Sequence, residues 1–437
     1  MSNNAVLVVG GGIAGMQAAL DLADRQVKVY LVEKSPSIGG RMAQLDKTFP
    51  TMDCSICILA PKMIECLRHP DITLLTCSEL TEVTGQAGDF RVKVLKNPRF
   101  VDPGKCTGCG VCTEKCPVKT PSEFDRGMGL RKAIYMPFPQ AVPRVAVIDR
   151  DHCLYFKKGV CRICEKTCPT HAICFDQEPE EITLNVSGII LATGSELYDP
   201  SMISEYGYKR YKNVLLSIEF ERLVNASGPT RGKILRPSDG KPPKRIAFVQ
   251  CVGSRTRERG YPYCSSVCCM YATKEAILIR EHDPECEVYI FYIDLRVFGK
   301  RFQEFVNRAR DEWGVKYVNG RVAAVTENPV TKDLSVRYEN VHEGKIDELR
   351  MDLVVLCPAL IPREDNKALA KILGVELNEH GFFKTKDPLL MSVETNLRGV
   401  FVCGYCQAPK DISESVTQAC AASARAAEVV VAPVAGE

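Results

Sequence analysis

The clearest periodic pattern lies at the start of the chain. In residues 5–33, AVLVVGGGIAGMQAALDLADRQVKVYLVE, five apolar residues lead into glycines, an amphipathic stretch and a second apolar run. That order predicts a strand, a tight turn, a helix and a second strand. The region from about 244 to 360 repeats it: RIAFVQCVGS reads as a strand, MYATKEAILIREH as a helix and CEVYIFYIDLR as the next strand. The two turns differ. The first is glycine-rich, whereas the second is long and holds four cysteines.

Gly10, Gly12 and Gly15 of the first turn supply G-x-G-x-x-G. The first glycine permits the tight turn, the second lets backbone approach a pyrophosphate, and the third allows close helix–strand packing. Glu33 ends the second strand, where a carboxylate can accept hydrogen bonds from a ribose. A dinucleotide site is therefore expected here. The chain has 437 residues, enough for two to three domains with real cores. A formal charge of +3 points to no nucleic-acid or anionic-membrane partner. No apolar run reaches the ~18–20 residues of a membrane span. The start, MSNNAVLVVGGG, lacks the basic region and cleavage site of a signal peptide, so a cytoplasmic protein is expected.

Twenty-two cysteines change this picture. Disulfides are rare in reducing compartments. Buried inert thiols account for singletons such as Cys174 and Cys286 but not for clustering. With six scattered histidines and no Cys/His zinc spacing, iron–sulfur clusters are the natural alternative. CTGCGVCTEKCP places Cys106, Cys109, Cys112 and Cys116 in the C-x2-C-x2-C-x3-C-P run of bacterial ferredoxins, whose fourth cysteine ligates the other cluster. A partner run, CLYFKKGVCRICEKTCP, holds Cys153, Cys161, Cys164 and Cys168, its first spacing lengthened by a short loop. By analogy, Cys106, Cys109, Cys112 and Cys168 hold one [4Fe–4S] cluster, and Cys116, Cys153, Cys161 and Cys164 the other. A zinc ribbon is the alternative; the proline after each fourth cysteine argues against it.

The segment EKSPSIGGRM, with Lys34, Gly40 and Arg41, resembles the two-dinucleotide-binding flavoprotein family, in which it lies along the flavin. GIILATGS, with Ala192, Thr193 and Gly194, resembles that family's strand returning beside the nucleotide. NLRGVFVCGYC resembles the strand and loop that cover the ribityl chain, with Tyr405 after Gly404 where an acid is usual. The resemblance implies FAD. It also implies an α/β fold of two Rossmann-like dinucleotide-binding domains, thioredoxin-reductase-like, with an inserted α+β ferredoxin domain of the bacterial 2[4Fe–4S] type. The expected boundaries are 1–96, 179–240 and 363–437 for the FAD domain, 97–178 for the insert and 241–362 for the second domain. MDLVVLCPALIPRED resembles the strand by which the second domain returns, with Leu360 at the usual glycine.

In the second domain, Cys251, Cys264, Cys268 and Cys269 occupy the turn that should cradle a pyridine nucleotide. A helix N-terminus that suits pyrophosphate also suits an anionic thiolate-ligated cluster. A third [4Fe–4S] cluster in place of the nucleotide is expected; four thiols packed as small hydrophobes are the alternative. This C-x12-C-x3-C-C pattern, with FPTMDCSICILAPKM and the ferredoxin insert, resembles the A subunit of heterodisulfide reductase over essentially the whole chain. In that family the corresponding cysteines bind a non-standard cluster close to FAD. Compared with the long methanogen form, the sequence starts at the flavin fold and stops after AASARAAEVVVAPVAGE. An N-terminal cluster domain and a second ferredoxin domain are thus expected to be missing here or supplied by partners. Three readings stay open for Cys54 and Cys57: ligands to a fourth, shared cluster, a redox-active dithiol, or plain structure. Cys403 and Cys406 are expected to be local packing. Lys410 is read either as a residue tuning flavin protonation or as an ordinary surface lysine.

The resemblance implies flavin-based electron bifurcation. Electron pairs would come from a hydrogenase, formate dehydrogenase or NADH-oxidising module. They would be divided between ferredoxin and a disulfide-reducing partner with B- and C-like subunits, in a dimer of hetero-oligomers. Two rivals are kept: an electron conduit similar to the A subunit of quinone-interacting oxidoreductase, and an NAD(P)H-dependent flavoprotein like the small subunit of glutamate synthase.

Overall fold

The computed structural model describes residues 4–431; the readings of residues 1–3 and 432–437 lie outside them. The chain forms two units. The first comprises the segment up to Ala43, Ile56–Ser195 and the chain from Pro362 onward; the second comprises Gln44–Ser55 and Glu196–Ile361.

In the first unit, five parallel strands run in the order Val400–Val402, Gly188–Leu191, Ala5–Val9, Lys28–Glu33, Ile72–Thr76. Ala5–Val9 is buried throughout because both faces of the sheet are covered, which explains its unbroken apolar run. The helices Ile13–Ala23 and Ile412–Val431 pack together on one face, around Met16, Leu22, Ala419 and Ala422. The other face packs on the antiparallel strands Ser78–Gln86, Asp89–Lys96 and Glu180–Val186 through Phe90, Val92 and Val186.

The cysteine-rich insert belongs to this unit and has its own small core, centred on Phe100, Ile134, Ile148 and Phe175. It contains two short hairpins and the helices Val111–Lys115, Leu154–Lys158 and Ile163–Thr167. Two links tie it to the loop after Glu33. The buried Arg99 guanidinium donates to the Pro36 carbonyl at 2.6 Å, Thr76 Oγ1 at 2.7 Å and the Val145 carbonyl at 3.0 Å. Val142 N–H donates to Ser37 Oγ at 2.9 Å, and Ile38 N–H to the Val142 carbonyl at 3.0 Å.

The second unit is built on seven strands in the order Val214–Leu216, Leu353–Pro358, Arg245–Val252, Glu287–Tyr292, Lys316–Glu327, Leu334–Asn340, Lys345–Met351. The first five are parallel and the last two return as antiparallel neighbours. Residues 196–240, expected in the first domain, lie here: Val214–Leu216 pairs with Val354–Leu356 and completes the sheet edge. No helix among the described residues is long and apolar enough to cross a membrane.

Local geometry at the first turn yields a direct test. A Cβ on Gly15 would stand 1.8 Å from the Gly10 carbonyl oxygen, backbone against backbone. Gly15→Ala is expected to cost on the order of 3 kcal/mol, at the upper end for overpacking, read by thermal unfolding together with loss of bound flavin.

Candidate redox centres

The flavin cradle assembles from four separate segments of the first unit. Gly12 caps the helix Ile13–Ala23 with no side chain bonded to its first turn, so the N–H groups there face outward. A Cβ on Gly12 would meet nothing within 4 Å, whereas one on Gly10 would stand 2.4 Å from the Ala192 carbonyl oxygen. Open space thus lies where pyrophosphate would approach, and tight packing where strand meets strand. Glu33 is fixed at the end of its strand: its two carboxylate oxygens accept the N–H groups of Gly11 and Ser35, both at 2.7 Å. Gly40 lies against Gly12; a Cβ on Gly40 would stand only 3.0 Å from the Gly12 Cα. Arg41 donates to the Ser195 carbonyl at 2.9 Å, tying the Gly-Gly-Arg loop to the end of strand Gly188–Leu191. Thr193 donates to Asn366 Oδ1 at 3.2 Å, beside Gly194. These residues fit an extended dinucleotide such as FAD. Lys34 does not join them; its exposed ammonium pairs with Glu79 and Asp365.

Gly404 and Lys410 close the loop after Val400–Val402. The Lys410 ammonium donates to the Gly404 carbonyl, Gln407 Oε1 and the Ala408 carbonyl at 3.1, 2.9 and 3.0 Å. Burial pulls its pKa below the ordinary lysine value, against the opposing pull of Cys406, Glu414 and Cys403. Lys410 is half-buried, not an ordinary surface lysine. Cys403 and Cys406 are fully buried in the cores on the two faces of the sheet. Tyr405, in the position of the missing acid, stacks at a tilt against Phe382, ring centroids 6.2 Å apart.

In the insert, Cys106, Cys109, Cys112 and Cys168 line a single cavity with Met136, Ala146 and Ala172. Thiols from two distant runs thus meet around one void. Ala172 N–H donates to Cys168 Sγ at 3.3 Å. Burial alone would raise the Cys168 pKa; N–H donors from Ala172, Thr170 and His171 bring it below the ordinary thiol value. Cys164 responds oppositely. Burial pushes it up to about 12, and Cys153, Cys112 and Cys116 are near enough to add to the rise. Cys161 sits on the loop leading into Ile163–Thr167. Zinc would draw its sulfurs to about 2.3 Å from one point. Cys106, Cys109, Cys112 and Cys168 line a space rather than one point, and among the described residues no three His, Cys, Asp or Glu groups are placed to hold a single metal ion.

The second unit holds Cys251, Cys264, Cys268 and Cys269. The ladder between Arg245–Val252 and Leu353–Pro358 shifts register between Val249 and Val252, and Cys251 takes a left-handed φ of 60°. Such a bulge re-aims a side chain at a functional site. Cys251, Cys264, Cys268 and Cys269 act on one another electrostatically, so the turn and the first residues of helix Cys268–His282 converge. Burial raises the pKa of Cys251, Cys268 and Cys269, to about 12 for Cys269. The backbone N–H of Arg296 donates to Cys269 Sγ at 3.3 Å, and that of Ser266 to Cys264 Sγ at 3.4 Å.

Gln250 supplies the test of fit. Its Oε1 accepts the Cys269 thiol at 3.3 Å, while its buried Nε2 finds no acceptor among the described residues. An unpaired buried amide costs about 1–3 kcal/mol. Cluster sulfur beside Cys269 would satisfy it, and metal binding would displace the thiol protons. Arg255 lies against Cys251 and is itself held by Asp294 at 2.5 and 3.2 Å. Neither Gln250 nor Arg255 carries a sequence signature; only the bulge and the long turn bring them to the thiols. A further buried thiol in this region, Cys357, also escaped the pattern because it is a lone cysteine in an apolar strand.

Cys54 and Cys57 are disulfide-bonded, a state in which neither offers a ligand sulfur. Cys286 is buried as expected of an inert singleton, but Cys174 is not: its thiol donates to Asp176 Oδ1 at 3.2 Å.

Comparison with known proteins agrees with this division. Residues 5–53 match the FAD dependent oxidoreductase model, 99–122 the 4Fe-4S binding domain and 268–426 the pyridine nucleotide-disulphide oxidoreductase family. Thioredoxin reductases of T. acidophilum and Lactococcus lactis share the fold, each covering 98% of both chains, with TM-scores of 0.54 and 0.53 at 14% and 16% identity. The chain is 53% identical over 94% of its length to the iron-sulfur A subunit of the CoB–CoM heterodisulfide reductase of Methanocaldococcus jannaschii, covering 62% of that protein. It is 51% identical over 96% of its length to the A subunit of the H(2):CoB-CoM heterodisulfide,ferredoxin reductase of Methanothermobacter marburgensis, covering 63%. It is 42% identical over 97% to the A subunit of the Ferredoxin/F(420)H(2)-dependent CoB-CoM heterodisulfide reductase of Methanosarcina acetivorans, covering 53%. The chain therefore spans less than two thirds of the length of these relatives. It belongs to the A-subunit family of heterodisulfide reductase, within the flavoprotein oxidoreductase superfamily.

Proposed function

We propose that this chain is the FAD- and iron–sulfur-carrying subunit of a heterodisulfide-reductase-like complex, dividing electron pairs into single electrons by flavin-based bifurcation. The observation that carries the reading is the convergence of Cys251, Cys264, Cys268 and Cys269 at the turn where this fold would otherwise cradle a pyridine nucleotide. Bound FAD supplies a two-electron station and [4Fe–4S] clusters supply one-electron stations, so their combination splits or merges pairs. Three clusters are assigned: Cys106, Cys109, Cys112 and Cys168; Cys116, Cys153, Cys161 and Cys164; and Cys251, Cys264, Cys268 and Cys269. A fourth would engage Cys54 and Cys57 after reduction of their disulfide.

The chain's residues hold and tune these groups. The open N-terminus of Ile13–Ala23 binds pyrophosphate, and Glu33, locked by two backbone N–H groups, orients a ribose. Lys410 brings a cation to the loop expected over the flavin and favours added negative charge there. The N–H groups of Arg296 and Ser266, the Gln250 amide and the Arg255 cation stabilise anionic sulfur at the third centre. The relatives' names mention hydrogen, ferredoxin and F(420)H(2). An external electron-input module, ferredoxin and a disulfide-reducing partner with B- and C-like subunits are accordingly the proposed exchange partners, in a cytoplasmic dimer of hetero-oligomers.

Anaerobic analysis of the purified chain tests the reading: one FAD and about twelve irons are expected, about four per cubane. Flavin without iron at the third centre, or bleaching by NADPH alone, would overturn it. Cys168→Ser should remove about four of those irons while leaving the flavin spectrum intact. Lys410→Met should lower the flavin reduction potential by on the order of 30 mV, a tenfold change for a two-electron couple; an unchanged redox titration would reject a tuning role. Gln250→Leu should keep its iron but lower the third centre's midpoint potential in an EPR-monitored titration.

A further inference from the structure

Helix Cys268–His282 carries a second group of buried polar residues beyond its cysteines. Lys274 and Glu275 are both buried, at 1% and 0% exposure, as is Glu221 of the facing helix Ser217–Val224 at 1%. The Lys274 ammonium donates to Glu221 Oε1, and the other oxygen of Glu221 accepts the Asp46 N–H at 2.9 Å. Glu275 is different. The Glu221 carboxylate lies against it, yet no donor among the described residues reaches either of its oxygens. Burial and the neighbouring Glu221 carboxylate both disfavour the ionised form of Glu275.

The placement joins this acid to the four-cysteine centre. Cys268, Tyr271 and Glu275 follow one another at helical spacing of three and four along one face. The Tyr271 hydroxyl lies between Cys268 and the buried Cys357, and Glu275 acts on both Tyr271 and Cys357. On the other side, Glu221 accepts the backbone N–H of Asp46, whose own half-buried carboxylate is within electrostatic reach of Glu221. The charged groups acting on Glu275 are Glu221 from the facing helix and Lys274 from its own; Asp46, Lys47 and His282 stand beyond Glu221.

We propose that Glu275, buried against Glu221, is a proton-exchange site for the four-cysteine centre, taking up one proton as that centre gains one electron. The inference rests on the reading of Cys251, Cys264, Cys268 and Cys269 as cluster ligands. The electron comes from the reduced flavin, or from dithionite in a titration; the proton comes from water, and the net buried charge is unchanged. Burial, reinforced by Glu221, raises the Glu275 pKa well above the ordinary glutamate value, while Lys274 opposes the rise. Below the window so defined, the acid is protonated in both redox states and the potential is flat. Within it, reduction brings a proton and the potential falls as pH rises, by at most one proton per electron.

The test is an EPR-monitored redox titration of the cluster-loaded chain across neutral and alkaline pH, for the natural sequence and Glu275→Gln. The natural chain should show the falling potential, and the variant, neutral at every pH, should not. Redox-difference infrared spectra in water and heavy water should show an exchangeable carboxylic acid band that tracks the EPR signal and vanishes in Glu275→Gln. Stability supplies a check independent of redox chemistry. The raised acid's contribution is complete below the unfolded pKa of 4.5 and is lost as pH rises through its folded value. Glu275→Gln should therefore gain thermal stability relative to the natural chain as pH rises. A cluster signal whose potential is flat in the natural chain, or equally pH-dependent in the variant, overturns the proposal while leaving the proposed function standing. Absence of the cluster signal overturns both. Should the variant fail to fold, absence of the exchangeable band in the natural chain overturns the proposal.

Discussion

Everything distinctive in this protein follows from one constraint of parallel β–α–β units. The first strand ends where the next helix begins, so backbone N–H groups point at whatever fills the turn between them. In the first unit, Gly12 leaves that space open while Gly10 and Gly15 let backbone pack closely against Ala192 and Gly10, and an extended anion fits. In the second unit the same position holds a bulge at Cys251, a long turn and a helix that begins on two cysteines. The electrostatics suit negative charge in both cases. Under the proposed function, side chains in the turn decide whether that charge is pyrophosphate or thiolate-bound metal.

The ferredoxin insert solves a different problem. A cluster-bearing module on a mobile linker would hold no fixed distance to the flavin. Here Arg99 draws the Pro36 carbonyl, the Thr76 hydroxyl and the Val145 carbonyl onto one guanidinium, and Ser37 pairs with Val142. The segment that follows Glu33 is thus bonded at once to the insert and, through Arg41 and Ser195, to the returning strand. Module and cradle belong to the same compact unit.

Much of this was legible in the chain itself, and the reason is physical. Gly10, Gly12 and Gly15 act through local backbone geometry, and the two ferredoxin runs through short spacing, so sequence adjacency carries the information. The cross-partnership of Cys168 with Cys106, Cys109 and Cys112 was expected by analogy, and those four line one cavity. What sequence could not show depends on pairings across the sheet. Residues 196–240 join the second unit because Val214–Leu216 finds its register on Val354–Leu356, and no local signal marks that choice. Lys34 reads like part of the flavin loop, yet its side chain turns to Glu79 and Asp365. Gln250, Tyr271 and Cys357 are ordinary residues in apolar elements until the fold sets them beside the thiols.

The buried carboxylates pose the sharpest energetic question. Removing charges from water costs several kcal/mol per ion, and well-packed apolar residues often replace buried ion pairs without loss of stability. Lys274 and Glu221 offset each other, but Glu275 has no cation of its own and no donor among the described residues. A leucine there would avoid both the desolvation and the repulsion. A fold held only by packing gains nothing from such a residue. A fold that must accept an electron in a low-dielectric interior does gain, because an unbalanced charge there is far more costly than in water. An acid that can bind a proton on demand makes electron entry at the head of the same helix electrically neutral.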